Sequence, residues 1–396
     1  MLGRLWSRAW SPTWRLLTVG VLFLVLHSLW AYVEARRLER AARSVTTRAP
    51  ARRNPYANRL DDAARFYEAA WTLHPGLQPP RGVLLDDKHQ ERDIEWLRTM
   101  EPSLEMLDRG AALPACRFVW RDELPQFRAI RDVATASSVR TRERLRSGDP
   151  AGAMASITGA VLHLRVFTAE APLLGQLIRM VMLEMALADT KRFLENTAPG
   201  PERAKLQELI SGQDMPDAVE AALTAERAWV LHQVRRSMAN GEASPYGDHW
   251  ILRPVERHIA ITMVDFMSEA IEVSRAPWPD RLRRLAEMPR PWGPAGTAVP
   301  SLVRAARTMA RSAAFTHAMT ACLRVEEFRR THGGAAPETL ADAGLDPFTG
   351  QPLKYRHEES SYVVYSGGED GKDDGGAVGD GQGLSEDLGY RIHMRR

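Results

Sequence analysis

A run of eighteen residues without a charged side chain, Leu16 to Val33, constrains this chain more than any other feature. At about 1.5 Å per residue, a helix of that length covers roughly the hydrocarbon thickness of a bilayer. Trp14 precedes the run, and Trp30 and Tyr32 close it, where indole and phenol rings favour the headgroup region. Trp6, Trp10 and Trp14 recur every four residues, so a helical start places them on one face against the bilayer surface. Ser11 and Pro12 supply a cap and a first-turn proline. The expected order is a basic, aromatic tail over residues 1–15, a transmembrane helix over 16–33 and an Arg-rich linker over 34–55. A cleaved signal peptide is the competing reading, with Val33-Glu34-Ala35 as the cleavage triplet. Arg36 and Arg37 directly after the cut, and the helical pattern Glu34 to Arg43, favour a retained anchor.

Charge separates the two ends. Residues 1–53 hold ten Arg and two Glu, whereas residues 358–387 hold nine acids and one Lys. The whole chain carries only +3, too little to point to nucleic acid as a partner. Three Arg precede the apolar run and seven follow it up to Arg53, a count that by itself keeps the following chain in the cytoplasm. With 44% hydrophobic residues and 396 residues in all, the chain is long enough for two or three packed units.

Residues 56–298 read as a helical domain, an irregular array of antiparallel helix pairs without a sustained repeat. Asn58 is expected to cap a helix through His74, Asp149-Pro150 one through about Ala169, and Gly200-Pro201 another. Further helical patterns cover Glu123 to Arg146, Leu173 to Leu194, Pro216 to Ser237 and Val255 to Val273. Asp61-Asp62 and Asp86-Asp87 fall where helix N-termini are expected, so the dipole accounts for them. Met180, Met182 and Met185 read as core filling ahead of a binding groove. His163, His232, His258 and His317 stand singly, without a second ligand at zinc spacing. No nucleophile elbow, H-E-x-x-H, phosphate loop or dinucleotide fingerprint is present, so no catalytic residue is assigned. Cys116 and Cys322 leave two readings: a bridge closing a loop of 322 − 116 = 206 residues, or two separate thiols.

From about Ser301 a strong helix runs to His332, and a short one is expected at Pro337-Glu338-Thr339-Leu340. Leu353 to His357 and Ser361 to Ser366 alternate as strands joined by Glu358-Glu359-Ser360, followed by a Gly- and Asp-rich stretch. Three phrases then carry a resemblance: Phe328-Arg329-Arg330-Thr331-His332-Gly333-Gly334, Asp346-Pro347-Phe348-Thr349-Gly350-Gln351-Pro352-Leu353-Lys354-Tyr355, and Tyr365-Ser366-Gly367-Gly368-Glu369-Asp370-Gly371 with Asp387-Leu388 later. Together they resemble the C-terminal part of the major pseudopilin of type II secretion systems, whose last loop folds around calcium. The resemblance implies calcium as cofactor and a small α+β module over 299–396, with Asp370 and Asp387 as ligands and Asp373 and Asp374 as alternatives. It also implies a body outside the cytoplasm, against the arginine count. The acids do not follow EF-hand spacing, because with Asp370 first, position three is Lys372 and position twelve Gly381. Gly3 is followed by neither the Glu nor the immediate apolar run of a processed pilin subunit. The whole chain is similar to a group of single-span bacterial membrane proteins with a helical middle, through Pro114-Ala115-Cys116-Arg117-Phe118 and Glu170 to Arg179.

The expectation is therefore a mainly α protein: an inner-membrane anchor, a helical periplasmic body and a calcium-stabilised tail. It is expected to act as a scaffold or assembly protein and not as an enzyme, with the lipid bilayer and envelope or secretion proteins as partners. An envelope-associated hydrolase, or a peptide or small-molecule receptor using the helical body, is the alternative.

Overall fold

The computed structural model describes residues 12–44, 61–80, 91–118, 127–167, 171–240, 253–291, 296, 302–378 and 387–394. Among these residues the protein is mainly helical, with eleven α-helices, one of them N-terminal and apolar, and one small antiparallel sheet. Helix α1, Pro12–Ser44, is the one helix among the described residues long and apolar enough to cross a membrane. It runs without interruption into the expected linker. Trp6, Trp10 and the side chain of Trp14 lie outside the described residues.

The chain divides into two compact units. The first comprises 1–49, 226–270 and 289–300, the second 50–225, 271–288 and 301–396. Helices α8 (Ala218–Asn240) and α9 (Arg253–Ser274) each contribute to both.

In the first unit, one face of α1 is covered by α8 and α9. Leu38 packs with Val230, Leu231, Ile261, Val264 and Met267. His27 and Glu34 lie on the same face and are also buried. Arg257 donates from Nη1 to the Ala31 carbonyl at 3.1 Å, and His258 Nδ1 lies 3.5 Å from Glu34 Oε1. The other side of α1 is open: Leu22, Val25, Leu29 and Tyr32 are 56–58% exposed.

The second unit is built around α4, Phe127–Arg146. Its Ala129, Ile130, Val133, Ala136 and Val139 are buried, and its Thr135, Ser137 and Ser138 are buried beside them. Small side chains let α2 (Ala63–Thr72), α3 (Glu91–Ala111), α5 (Pro150–His163) and α6 (Leu173–Asn196) approach it on several sides. Asp62 caps α2, its carboxylate accepting from the N–H groups of Ala64 and Arg117, both at 3.0 Å. Asp149 caps α5 by accepting from Gly152 N–H at 2.8 Å, with Pro150 in the first turn as expected. That helix ends in a 3-10 turn, Leu164–Val166, short of Ala169.

Helices α7 (Glu202–Ser211), α10 (Asp280–Glu287) and α11 (Leu302–Thr331) complete the unit. The sheet has the order β1-β2-β3: Lys354–His357, Ser361–Ser366 and Leu388–His393. The expected hairpin is in register, His357 opposite Tyr362, and Glu358 N–H donates to Ser361 O at 2.8 Å. Strand β2 is buried along its length, with β3 on its other edge and α11 packed against both. The helix expected at Pro337–Leu340 does not form; the Pro337 carbonyl instead accepts from the Tyr355 hydroxyl at 2.6 Å.

Candidate functional site

The four aspartates proposed from sequence lie on or beside the loop between β2 and β3. Its described part turns through Gly368, Gly371, Gly375 and Gly376, all at positive φ. Gly376 is required twice over: its φ is +76°, and a Cβ there would stand 3.1 Å from Tyr365 and Val363 side-chain atoms. Asp387 pairs with Val378 in an isolated bridge, is 2% exposed, and accepts from Gly376 N–H at 2.7 Å and Asp374 N–H at 3.4 Å. Burial pushes its carboxyl up, and the neighbouring Asp373 and Asp374 charges push the same way. Asp373 is held differently: Lys354 Nζ lies 2.7 Å away, Gly375 N–H donates at 2.9 Å, and the Tyr365 hydroxyl donates at 3.0 Å. The Lys354 ammonium leads in holding it below the usual carboxylate range. Asp370 accepts from Lys372 N–H at 3.1 Å and faces that lysine's ammonium at 3.5 Å.

Three of the proposed acids thus come within electrostatic reach of one another, while Asp370 pairs locally. A calcium ion takes six to eight oxygens. Among the described residues, no three or more His, Cys, Asp or Glu side chains are grouped as a metal ion requires. In the arrangement shown, Asp387 is satisfied by backbone N–H groups and Asp373 by Lys354, Gly375 N–H and the Tyr365 hydroxyl. Exchanging this lysine for an uncharged side chain is expected to transfer the task to a dissolved cation. Lys354→Met should lower the melting temperature in chelator by about 2 °C, the scale of an exposed ion pair in a unit of this size, and millimolar calcium should restore it. A variant that melts as the wild type does in chelator would remove Lys354 from this role.

The other phrases behind the resemblance are explained by turns. Asp346 is buried, its carboxylate accepting from Phe348 N–H at 2.9 Å and Thr349 Oγ1 at 3.0 Å, while its backbone exchanges hydrogen bonds with Gly350 and Gln351 at 2.8 Å. Gly334, at φ +88°, ends α11 by donating to the Arg329 carbonyl at 2.9 Å.

Sequence reasoning missed a fully enclosed polar cluster in the second unit. Glu326 on α11 is fully buried and ion-paired with Arg203 of α7. Arg329 Nη1 donates to both Glu326 oxygens at 2.8 and 3.0 Å, and the Tyr362 hydroxyl donates to Oε1 at 2.8 Å. Arg203 also donates to the Thr197 carbonyl at 2.7 Å. One carboxylate thereby joins two helices and the central strand, and burial drives the Tyr362 phenol well above its ordinary value. Only the apolar spacing of α11 hinted that position 326 faces inward.

The single histidines have structural partners. His163 is fully buried, and its Nε2 accepts from Trp71 Nε1 at 3.1 Å. Burial pushes it down to about 3, so it is neutral at physiological pH. His317 has both ring nitrogens engaged, Nε2 with Asp214 at 3.0 Å and Nδ1 with the Leu345 carbonyl at 2.7 Å, which suits the doubly protonated ring. Burial pulls its pKa down, but the Asp214 carboxylate, the Leu345 carbonyl and Asp346 outweigh that and raise it. A raised folded-state value means the contribution is complete below the unfolded value of about 6.5 and fades as pH climbs through the folded one. The melting-temperature difference between wild type and His317→Gln should therefore be larger at pH 6 than at pH 9; a difference independent of pH would rule the charge out.

Met180 and Met182 are buried, as core filling requires, and Met185 is half-buried against the same core. Cys116 and Cys322 are both free, with burial pushing Cys116 up to about 11 and Cys322 well above its ordinary value. No protein-family model matches the chain, nor does any curated protein or solved structure.

Proposed function

We propose that the protein is a membrane-anchored scaffold or assembly component of the bacterial envelope, held by α1 in the inner membrane with its body outside the cytoplasm, and that it is not an enzyme. One observation carries the reading. The apolar helix is not a loose tether but a structural member of the first unit, its His27–Glu34–Leu38 face covered by helices from residues 226–270. An anchor of this kind holds a folded unit in a set position on the bilayer, which suits assembly. Export rests on the pseudopilin-like phrases of the tail, which outweigh the seven arginines following the span. Envelope or secretion proteins are the corresponding partners.

Membrane fractionation and a reporter fused after Arg396 test both parts. The protein should sediment with membranes and resist salt and carbonate extraction, and the reporter should be active only when exported. Soluble protein would overturn the anchor, and a reporter active only in the cytoplasm would overturn the orientation. Calcium ordering of the tail belongs to the same proposal, with Asp370 and Asp387 as ligands and Asp373 and Asp374 as alternatives. The ion would have to draw Asp373 away from Lys354. Equal melting temperatures of the wild-type protein in excess calcium and in chelator would remove calcium from the proposal.

A further inference from the structure

The open side of α1 changes chemistry within one helical turn. Leu22, Val25, Leu29 and Tyr32 follow one another at spacings of three and four residues and are each more than half exposed. The same stripe continues as Arg36, Arg40 and Arg43, all exposed. The opposite face is the one covered by α8 and α9, so this stripe is left without protein cover over both its apolar and its basic stretch.

Height along the helix sets what those arginines meet. Arg36 and Arg40 lie about 6 and 12 Å beyond Tyr32, and the headgroup layer on each side of a bilayer is about 5–8 Å deep. Helical side chains lean toward the N-terminus, here toward the bilayer, which brings long side chains at both positions back into that layer. The structure shows this lean for Arg36: its guanidinium lies over the Tyr32 ring, 5.4 Å from the centroid, and Nε donates to the Tyr32 hydroxyl at 3.2 Å. Arg40 Nε similarly reaches back to the Arg36 carbonyl at 3.4 Å. Glu39 is the exposed acid beside the stripe, and it engages Arg36 through one nitrogen, 3.3 Å away. The remaining guanidinium donors match the oxygens of a phosphate.

We propose that Arg36 and Arg40 form a binding surface for anionic phospholipid headgroups, continuous with the acyl-chain surface of Leu22, Val25 and Leu29, with Arg43 further out adding to the positive field. The inference rests on the membrane-anchored reading and adds the lipid class to it. The surface selects phosphatidylglycerol-type lipids over zwitterionic ones because the latter bring a cation beside the same arginines. Each basic side chain near an anionic surface favours association by about fivefold.

The test uses the full chain reconstituted in vesicles of phosphatidylcholine mixed with phosphatidylglycerol, with one lipid at a time carrying brominated acyl chains that quench Trp30. Brominated phosphatidylglycerol should quench several-fold more effectively per lipid than brominated phosphatidylcholine. The preference should collapse toward unity in the Arg36→Gln, Arg40→Gln, Arg43→Gln triple variant and persist in the corresponding triple lysine variant. Equal quenching by both lipids in the wild type, or an unchanged preference in the glutamine variant, would overturn the proposal and leave the stripe to an acidic protein partner. Absence of quenching by either lipid would instead strike at the membrane anchor itself, so the two failures are distinguishable.

Discussion

Glu326→Ala is expected to be the most destabilising single exchange in the second unit. The substitution leaves Arg203 and Arg329, 1% and 3% exposed, without their shared carboxylate. Breaking a buried pair by removing one partner costs about 3–5 kcal/mol, because the remaining charge stays out of water. For a unit of this size that corresponds to a fall in melting temperature of roughly 10 °C. Glu326→Gln separates charge from shape, since it keeps the side-chain volume and an acceptor for the Tyr362 hydroxyl. A fall of similar size in both variants assigns the effect to charge. If Glu326→Ala melts within about 2 °C of wild type, the cluster is not the clamp described here.

Leu38→Asp should act as strongly on the first unit while sparing the second. Leu38 is 4% exposed among Val230, Leu231, Ile261, Val264 and Met267, and removing a buried leucine side chain alone costs about 2–5 kcal/mol. An aspartate there adds a buried charge close to Glu34, so α8 and α9 should leave the α1 face. Limited proteolysis of the full chain in detergent should then cut within residues 226–270 at least about tenfold faster, since local opening of this free energy exposes the backbone. Residues 127–167, in the core of the second unit, should resist as in the wild type. Unchanged cleavage within 226–270 would show that Leu38 does not hold these helices to α1.

Local signals in the sequence identified most of the helices and the hairpin, because caps and periodicity are local. Asp149-Pro150 opens α5, Leu173 opens α6, and strands β1 and β2 fall within a residue of their expected bounds. Of helix α3 only a start near Asp86-Asp87 was expected; it spans Glu91–Ala111 and continues through Pro102. Strand β3 was missed although Leu388, Tyr390 and Ile392 alternate with Gly389, Arg391 and His393, because the pattern follows directly on the Gly- and Asp-rich stretch; it pairs with β2 and packs on α11. Helix α4 was seen, but not that most of its residues are buried, since many of those side chains are Ala, Ser, Thr and Arg and give little apolar signal. At the candidate site, glycine and aspartate composition located the loop, but Lys354 as the counter-ion of Asp373 depends on a strand register that brings residues 19 positions apart together. The Arg203–Glu326 pair spans 123 residues and left no local trace.

The interleaving of the two units has a consequence for how the protein is made. Leu38 must wait for Met267 before its cover exists, 267 − 38 = 229 residues later. At elongation rates of about 20 residues per second that is on the order of ten seconds, and at 5 per second about forty-five. The second unit opens with residues 50–225 and closes only with β3, so neither unit is finished when the other begins. Until residue 258 is made Glu34 lacks His258, and α11 is later complete before the sheet that packs on it exists. The nascent chain therefore spends much of its synthesis with both cores incomplete, a period in which any chaperone near the exit site has more influence on yield than the stability of the completed fold.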